Sequence, residues 1–323
     1  MNQFRIVADS SCDLLTLDGA DFVSVPLSIR TDAEEFYDDA NLDVDAMVST
    51  LRDTKGRSYS ACPNIADWES AFGESGNVIA FTITSALSGS YNAACVAKKN
   101  CEERNPARRI YVVDSLSAGP EIALLIERAL YEMRSHADFD KACEALNTYQ
   151  THTHLLFALE SMHNLAQNGR VSKLAATMAS VLGIRAIGQA SAEGMLEMLG
   201  KCRGVRKVRQ FMLSEMVELG YKGGRFGSGI VRMRRLRWSF APRSSSGFRR
   251  RMCEAIRCGG CAAITPSAAG LCWALSHESR RNQRKGKMHR NLSSDRAHSN
   301  PPTHRHRYNS ASDVCPRKAY DTA

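Results

Sequence analysis

Four short polar stretches carry the side chains best suited to holding or transforming a small ligand. They are Asp9-Ser10-Ser11, Ser58-Tyr59-Ser60-Ala61-Cys62-Pro63, Thr84-Ser85-Ala86-Leu87-Ser88-Gly89-Ser90 and Asp114-Ser115. Hydroxyls and unpaired backbone N–H groups suit an anionic head group, because both donate hydrogen bonds without carrying a competing negative charge. The same serines could simply cap helices or tighten turns, so one loop alone decides nothing; several on one edge favour a site. Other chemistry has less support. A Ser–His–Asp set drawn from Ser88, His154 or His163 and Asp114 is conceivable, but no G-x-S-x-G elbow accompanies it. His152 and His154 alternate at strand spacing and so share one face, which suits a solvated strand edge better than a metal. Tyr91 and Tyr221 are read as packing residues. Neither a P-loop lysine motif nor G-x-G-x-x-G occurs, so nothing points to a nucleotide and no cofactor is expected.

The elements that must position these loops follow from hydrophobic patterning. Short runs rich in Val, Ile and Phe predict strands at Phe4–Ala8, Phe22–Ile29, Val78–Ile83 and Arg109–Val113. Between them, helices are predicted over Asp43–Arg52, Ile65–Phe72, Leu87–Cys101 and Glu121–Arg134, with Asn64 placed as an N-cap after Pro63. Strand–helix alternation of this kind implies an α/β protein whose mostly parallel sheet is covered on both faces. Ligands of such sheets collect where strand carboxyl ends meet helix N-termini, which is where the polar loops fall. A second α/β set follows. It has a strand near His154–Leu159, helices near Ser161–Gln167 and Ser172–Leu182, strands around Ile184–Ile187 and Met195–Leu199, and a helix over Val205–Leu219 that Gly220 ends. The break near Asn147–His152 divides residues 1–150 from residues 151–225.

Composition narrows the class. No run approaches the roughly 18 apolar residues that span a bilayer, and Asp9 interrupts the N-terminal stretch where a secretory signal needs apolar residues. The 11 cysteines are scattered rather than dense, which suits reduced thiols and a cytoplasmic protein with no stable membrane insertion. The net charge of +9 describes neither half of the chain. Residues 1–224 hold 22 basic and 29 acidic side chains, and residues 225–323 hold 21 and 5.

Taken in order, the stretches IVADSSCDL at 6–14, VSVPLSI at 23–29, SACPNIADWESAF at 60–72, ITSALSGSYNAA at 83–94, VVDS at 112–115 and NGRVSKLAA at 168–176 resemble the DegV family of bacterial fatty-acid-binding proteins. LSGSYNAA and NGRVS are the most specific, and the resemblance runs over residues 4–224. It implies a two-domain α/β fold that buries a long-chain fatty acid between its domains. By motif position, Ser60 and Ser88 would hold the carboxylate. The family's usual Thr-Ser-Gln-Pro stands here as Ser60-Ala61-Cys62-Pro63, which keeps one hydroxyl of two. Arg170 matches a basic position that serves the encounter with a fatty-acid kinase, so the chain would be a carrier and not a catalyst. That role suits the chemistry: an acyl chain asks only for burial, at about 0.8 kcal/mol per CH₂, and its carboxylate for donors. A small-molecule transferase or kinase-related enzyme using the same loops is the alternative.

From Phe226 onward neither the 2.0 nor the 3.6 period persists. A nucleic-acid-binding arm would use the basic charge, and Cys253, Cys258, Cys261 and Cys272 could be tried as zinc ligands, but their spacing fits no strong pattern. A shifted reading frame accounts for more. In it, Arg225–Ala241 permits VRLGHCADAEAAVELC, and Cys258–His277 permits RGLCSYYAERGGLLLGFES followed by a stop, a string similar to DegV C-termini. A one-base slip after Arg225 is therefore expected. It leaves the second domain incomplete and residues 226–323 an aberrant basic tail, expected to be disordered, with no role for nucleic acid. Resequencing codons 222–228 decides the matter, since an intact frame there refutes the slip.

Overall fold

Period-2 burial along the N-terminal strands fixes the first layer. Ile6 and Ala8 pack on one face with Ile79, Phe81 and Val113, while Val7 faces the other way with Val78, Ala80 and Ile110. Both faces are therefore apolar, as a doubly covered parallel sheet requires. The computed structural model describes residues 4–231 and 270–276, apart from 55, 57, 136–137, 161, 163–164, 167, 172–183 and 223–224. All of them belong to one compact unit, Met1–Ser279.

The first sheet is parallel, in the order β2 (Asp21–Val25), β1 (Phe4–Asp9), β6 (Asn77–Thr82), β7 (Arg109–Asp114). Helices α2 (Ile65–Phe72) and α3 (Ser90–Arg104) cover one face through Trp68, Phe72, Ala94 and Ala97. Helices α4 (Pro120–Ser135) and α5 (Phe139–Gln150) cover the other through Ile122, Leu125, Ile126, Phe139 and Leu146. A small antiparallel sheet, β4 (Glu35–Tyr37), β3 (Ser28–Arg30), β5 (Tyr59–Ala61), packs Ile29 against Met47 and Val48 of α1 (Val44–Asp53).

A second sheet of five antiparallel strands runs β10 (Leu196–Arg203), β9 (Ile184–Ala190), β8 (Thr153–Leu159), β12 (Gly270–Ser276), β11 (Phe226–Val231). Helix α6 (Val205–Glu218) covers one face with Val208, Met212 and Met216, and Tyr221 packs at its edge. The α6 helix stops at Gly220, whose φ of 79° admits the left-handed turn in which the Tyr221 N–H reaches the Met216 carbonyl at 2.9 Å.

Four differences from the sequence reading have physical causes. The single strand expected over Phe22–Ile29 is two, because Pro26 cannot donate to a ladder; β3 leaves for the small sheet. Helix α5 was not expected, and residues 147–152 span its end and the turn into β8. His152 is not on a strand with His154: it pairs through Nδ1 with the Thr148 carbonyl at 2.9 Å, closing the last turn of α5. Two stretches of the basic tail, expected to be disordered, are strands: β12 pairs with β8 and β11 with β12, so the edge of β8 is covered. The run Gly270-Leu-Cys-Trp-Ala-Leu-Ser276 explains the first of them, being a short apolar segment bounded by small polar residues. The helix expected over Ser172–Leu182, and most of that over Ser161–Gln167, lie outside the described residues.

Candidate functional site

The carboxyl edge of the first sheet is organised around Asp9, the last residue of β1 and fully buried. Its Oδ2 accepts the Ile83 N–H at 2.9 Å and the Ser90 hydroxyl at 2.6 Å, and its Oδ1 accepts the Ser11 hydroxyl. Burial pushes the Asp9 carboxyl above the ordinary carboxylate range, and these donors partly offset that. Ser10 is occupied as well, its Oγ accepting the Leu27 N–H at 3.1 Å. The hydroxyls of this first loop are therefore buried and serve the scaffold instead of an open rim. Asp114, ending β7, does similar work: its Oδ1 accepts the N–H groups of Ser85, at 3.0 Å, and Leu116, at 3.2 Å, binding two loops together.

Ser60 and Ser88 stand differently. Ser60 lies in β5, opposite Ile29 of β3, with its side chain partly exposed. Ser88 lies in the loop between β6 and α3, also partly exposed; its Oγ accepts the Ser90 N–H at 3.3 Å, a bond that uses the oxygen and not the hydroxyl proton. The two loops touch: a Cβ placed on Gly89 would sit 3.5 Å from Cys62 Sγ. Downstream of Cys62 the chain is fixed by a reciprocal cap, with Asn64 Oδ1 accepting from the Asp67 N–H at 3.0 Å and Asp67 Oδ2 from the Asn64 N–H at 2.9 Å. Helix α3 begins at Gly89-Ser90; Gly89 has no side chain to cap it and no acid stands in its first turn, so although Ser88 Oγ takes the Ser90 N–H, the next amides and the dipole favour an anion there.

A third segment joins these loops. Arg170 Nε donates to the Leu87 carbonyl at 3.0 Å, and Asn168 Nδ2 reaches the Ser58 carbonyl at 3.5 Å. Burial pulls the Arg170 guanidinium below its ordinary value, with the neighbouring Cys62 acting in the opposite sense. The structure thus brings together the Ser60 loop, the Ser88 loop and Arg170, which lie far apart in sequence. Beside them, Ile83, Ala118 and Leu155 form a buried apolar cluster with Ala190 packed against it, joining the first sheet's carboxyl edge to the second sheet.

Two contributors escaped the sequence reading. Asn168 belongs to the same turn as Arg170, but nothing in the motif shows that its amide ties back to residue 58. Glu121, at the start of α4, is buried and accepts the Ser117 hydroxyl at 2.6 Å; burial raises its carboxyl to about 7. An acid in a helical first turn ordinarily reads as a dipole partner, so only burial marks it. The Ser–His–Asp alternative gains nothing: Asp114 is engaged by two backbone amides, and His163 lies outside the described residues. Among the described residues no group of three or more His, Cys, Asp or Glu could hold a metal ion. Cys253, Cys258 and Cys261 lie outside them. No described helix is long and apolar enough to cross a membrane.

Comparison with known proteins gives a consistent picture. The family model described as an uncharacterised protein of the DegV family matches residues 3–227. A DegV domain-containing protein of Streptococcus pneumoniae is 44% identical over 226 residues, covering 69% of this chain and 80% of that one. A DegV family protein of Eubacterium eligens, solved loaded with heptadecanoic acid, superposes with a TM-score of 0.75 at 36% identity, covering 85% of this chain and 100% of the other. The Fatty Acid Kinase B3 protein of Streptococcus pneumoniae, loaded with linoleic acid, gives a TM-score of 0.74 at 36% identity, covering 85% and 99%.

Proposed function

The chain belongs to the DegV family, and on that premise we propose that it binds a long-chain fatty acid and presents the carboxylate to a partner fatty-acid kinase. One observation carries the reading: the Ser60 loop, the Ser88 loop and the turn bearing Arg170 converge beside the start of α3 and an apolar cluster. In our reading the hydroxyls of Ser60 and Ser88 donate to the carboxylate, and the acyl chain runs into the apolar region between the two sheets. Each buried methylene contributes about 0.8 kcal/mol, so the chain supplies affinity while the hydroxyls supply polarity and direction. Arg170 stands at the same rim, where its charge meets the approaching kinase. The protein is a carrier acting in the cytoplasm, with residues 1–150 and 151–225 as the two halves of the slot, and it does no chemistry of its own.

Native mass spectrometry of the protein expressed in bacteria tests this. A co-purified fatty acid is expected. Lipid-free protein that by itself turns a small molecule into a phosphorylated product would instead favour the transferase reading.

A further inference from the structure

The hairpin joining β9 to β10 has a rigid tip. Ser191 Oγ accepts the N–H groups of Glu193 and Met195, both at 3.2 Å, while the Ser191 N–H reaches the Met195 carbonyl at 2.8 Å. Gly194 completes this turn with a φ of 78°, and its N–H donates to the Ser191 carbonyl at 3.0 Å. The tip does not end in open space. A Cβ built on Gly194 would run into Thr84 Oγ1 and lie 3.0 Å from Leu116 Cα. A part of the second sheet's β9–β10 pair is therefore pressed onto two loops of the first.

The two residues it meets control the Ser88 loop. Thr84 is fully buried; its Oγ1 accepts the Ala86 N–H at 3.2 Å and its carbonyl accepts the Leu87 N–H at 3.1 Å, which shapes the turn leading into Ser88. Leu116 is held at a φ of 53°, uncommon for a residue with a side chain, and its N–H shares the Asp114 carboxylate with that of Ser85. Leu87 in turn presents the carbonyl that holds Arg170. Displacing Thr84 or Leu116 thus moves the loop that offers the Ser88 hydroxyl, although Gly194 lies far from Ser88 in sequence.

We infer that the β9–β10 hairpin tip is a clamp on the head-group loop, and that Gly194 is a positioning residue for carboxylate recognition. The inference rests on the fatty-acid reading given above and adds to it the device that sets head-group selectivity. A clamp of this kind acts on the carboxylate and leaves burial of the acyl chain alone. Its signature is a change in discrimination, because loss of general stability would weaken all ligands alike.

The test compares heptadecanoic acid with heptadecan-1-ol, which keeps the chain and lacks the carboxylate, by titration calorimetry on the full chain. Asn tolerates a positive φ, so Gly194→Asn adds the colliding Cβ with little backbone strain. Gly194→Ala adds the same Cβ with the smallest side chain, keeps the Thr84 hydroxyl on the Ala86 N–H, and covers the case in which Gly194→Asn fails to fold. Each variant is expected to bind the acid about tenfold more weakly or worse, as a small displacement of a positioned group does, while binding the alcohol as wild type does. Equal weakening of acid and alcohol, or unchanged acid binding in a folded variant, overturns the clamp. Wild-type protein that binds neither ligand sinks the fatty-acid reading itself, a distinguishable failure.

Discussion

Ser88 and Glu121 show how differently two polar side chains can be used at one edge of a sheet. Ser88 accepts one backbone N–H, and in the function proposed above its hydroxyl donates to the carboxylate, so replacing it would leave that group short of a donor. Ser88→Ala should weaken fatty-acid binding by about 1–3 kcal/mol, read from displacement of a bound lipid, and unchanged affinity removes Ser88 from the site. Glu121 is buried. Its carboxyl is raised from 4.5 to about 7 chiefly by burial, opposed by hydrogen bonds from Ser117 and Thr153. Because the folded state holds the proton more tightly than the unfolded one, the stabilisation is complete below about 4.5 and is lost as pH rises through about 7. The difference amounts to roughly 3 kcal/mol. Denaturant unfolding at pH 5 and pH 8 should show wild type losing about 2.5 kcal/mol of it relative to Glu121→Gln, and parallel pH profiles for the two would contradict it. Of these two residues only Ser88 stands in a motif that singles it out; Glu121 looks like any acid in a helix's first turn until its surroundings are known.

At the scale of elements, local chemistry set most boundaries. Helix α2 runs over Ile65–Phe72 as expected, because Pro63 and Asn64 stop the preceding chain and the reciprocal cap with Asp67 satisfies two orphan amides. Asn64→Ala should cost about 1 kcal/mol, seen as a lower urea midpoint with an unchanged slope; no shift would mean that packing of Trp68 and Phe72 alone holds the helix. Where the reading failed, tertiary demand was the cause. Pro26 splits a run that is apolar throughout, and β3 finds its partners in β4 and β5, one of them about 30 residues downstream. The antiparallel second sheet was beyond pattern reading too, since period 2 reports which faces are buried and not which strand lies alongside.

Across the whole molecule, the tail matters through its strands. β12 fills the edge beside β8 and β11 follows it, so deleting residues 226–323 reopens a row of unpaired β8 backbone groups. That deletion should raise self-association in light scattering, whereas deletion of 278–323 should not; equal behaviour of the two truncations would show that the β8–β12 pairing has no part in solubility. The class of the protein is legible along the chain: continuous apolar runs demand a parallel sheet covered on both faces, and hydroxyl-rich turns mark the ends of its strands. So are the residues that match the DegV pattern, because a motif is a property of neighbours along the chain. Folding settled which of those turns is closed by its own hydrogen bonds. Asp9, Ser10 and Ser11 have the composition of a site, but Asp9 is bonded to Ile83 and Ser90, Ser10 to Leu27 and Ser11 to Asp9, which turns them inward. Only the fold brought Arg170 to Leu87, Asn168 to Ser58 and Gly194 to Thr84. The reason is that a hydroxyl's role depends on whether folding has already given it a partner, and partners that distant along the chain leave no local trace.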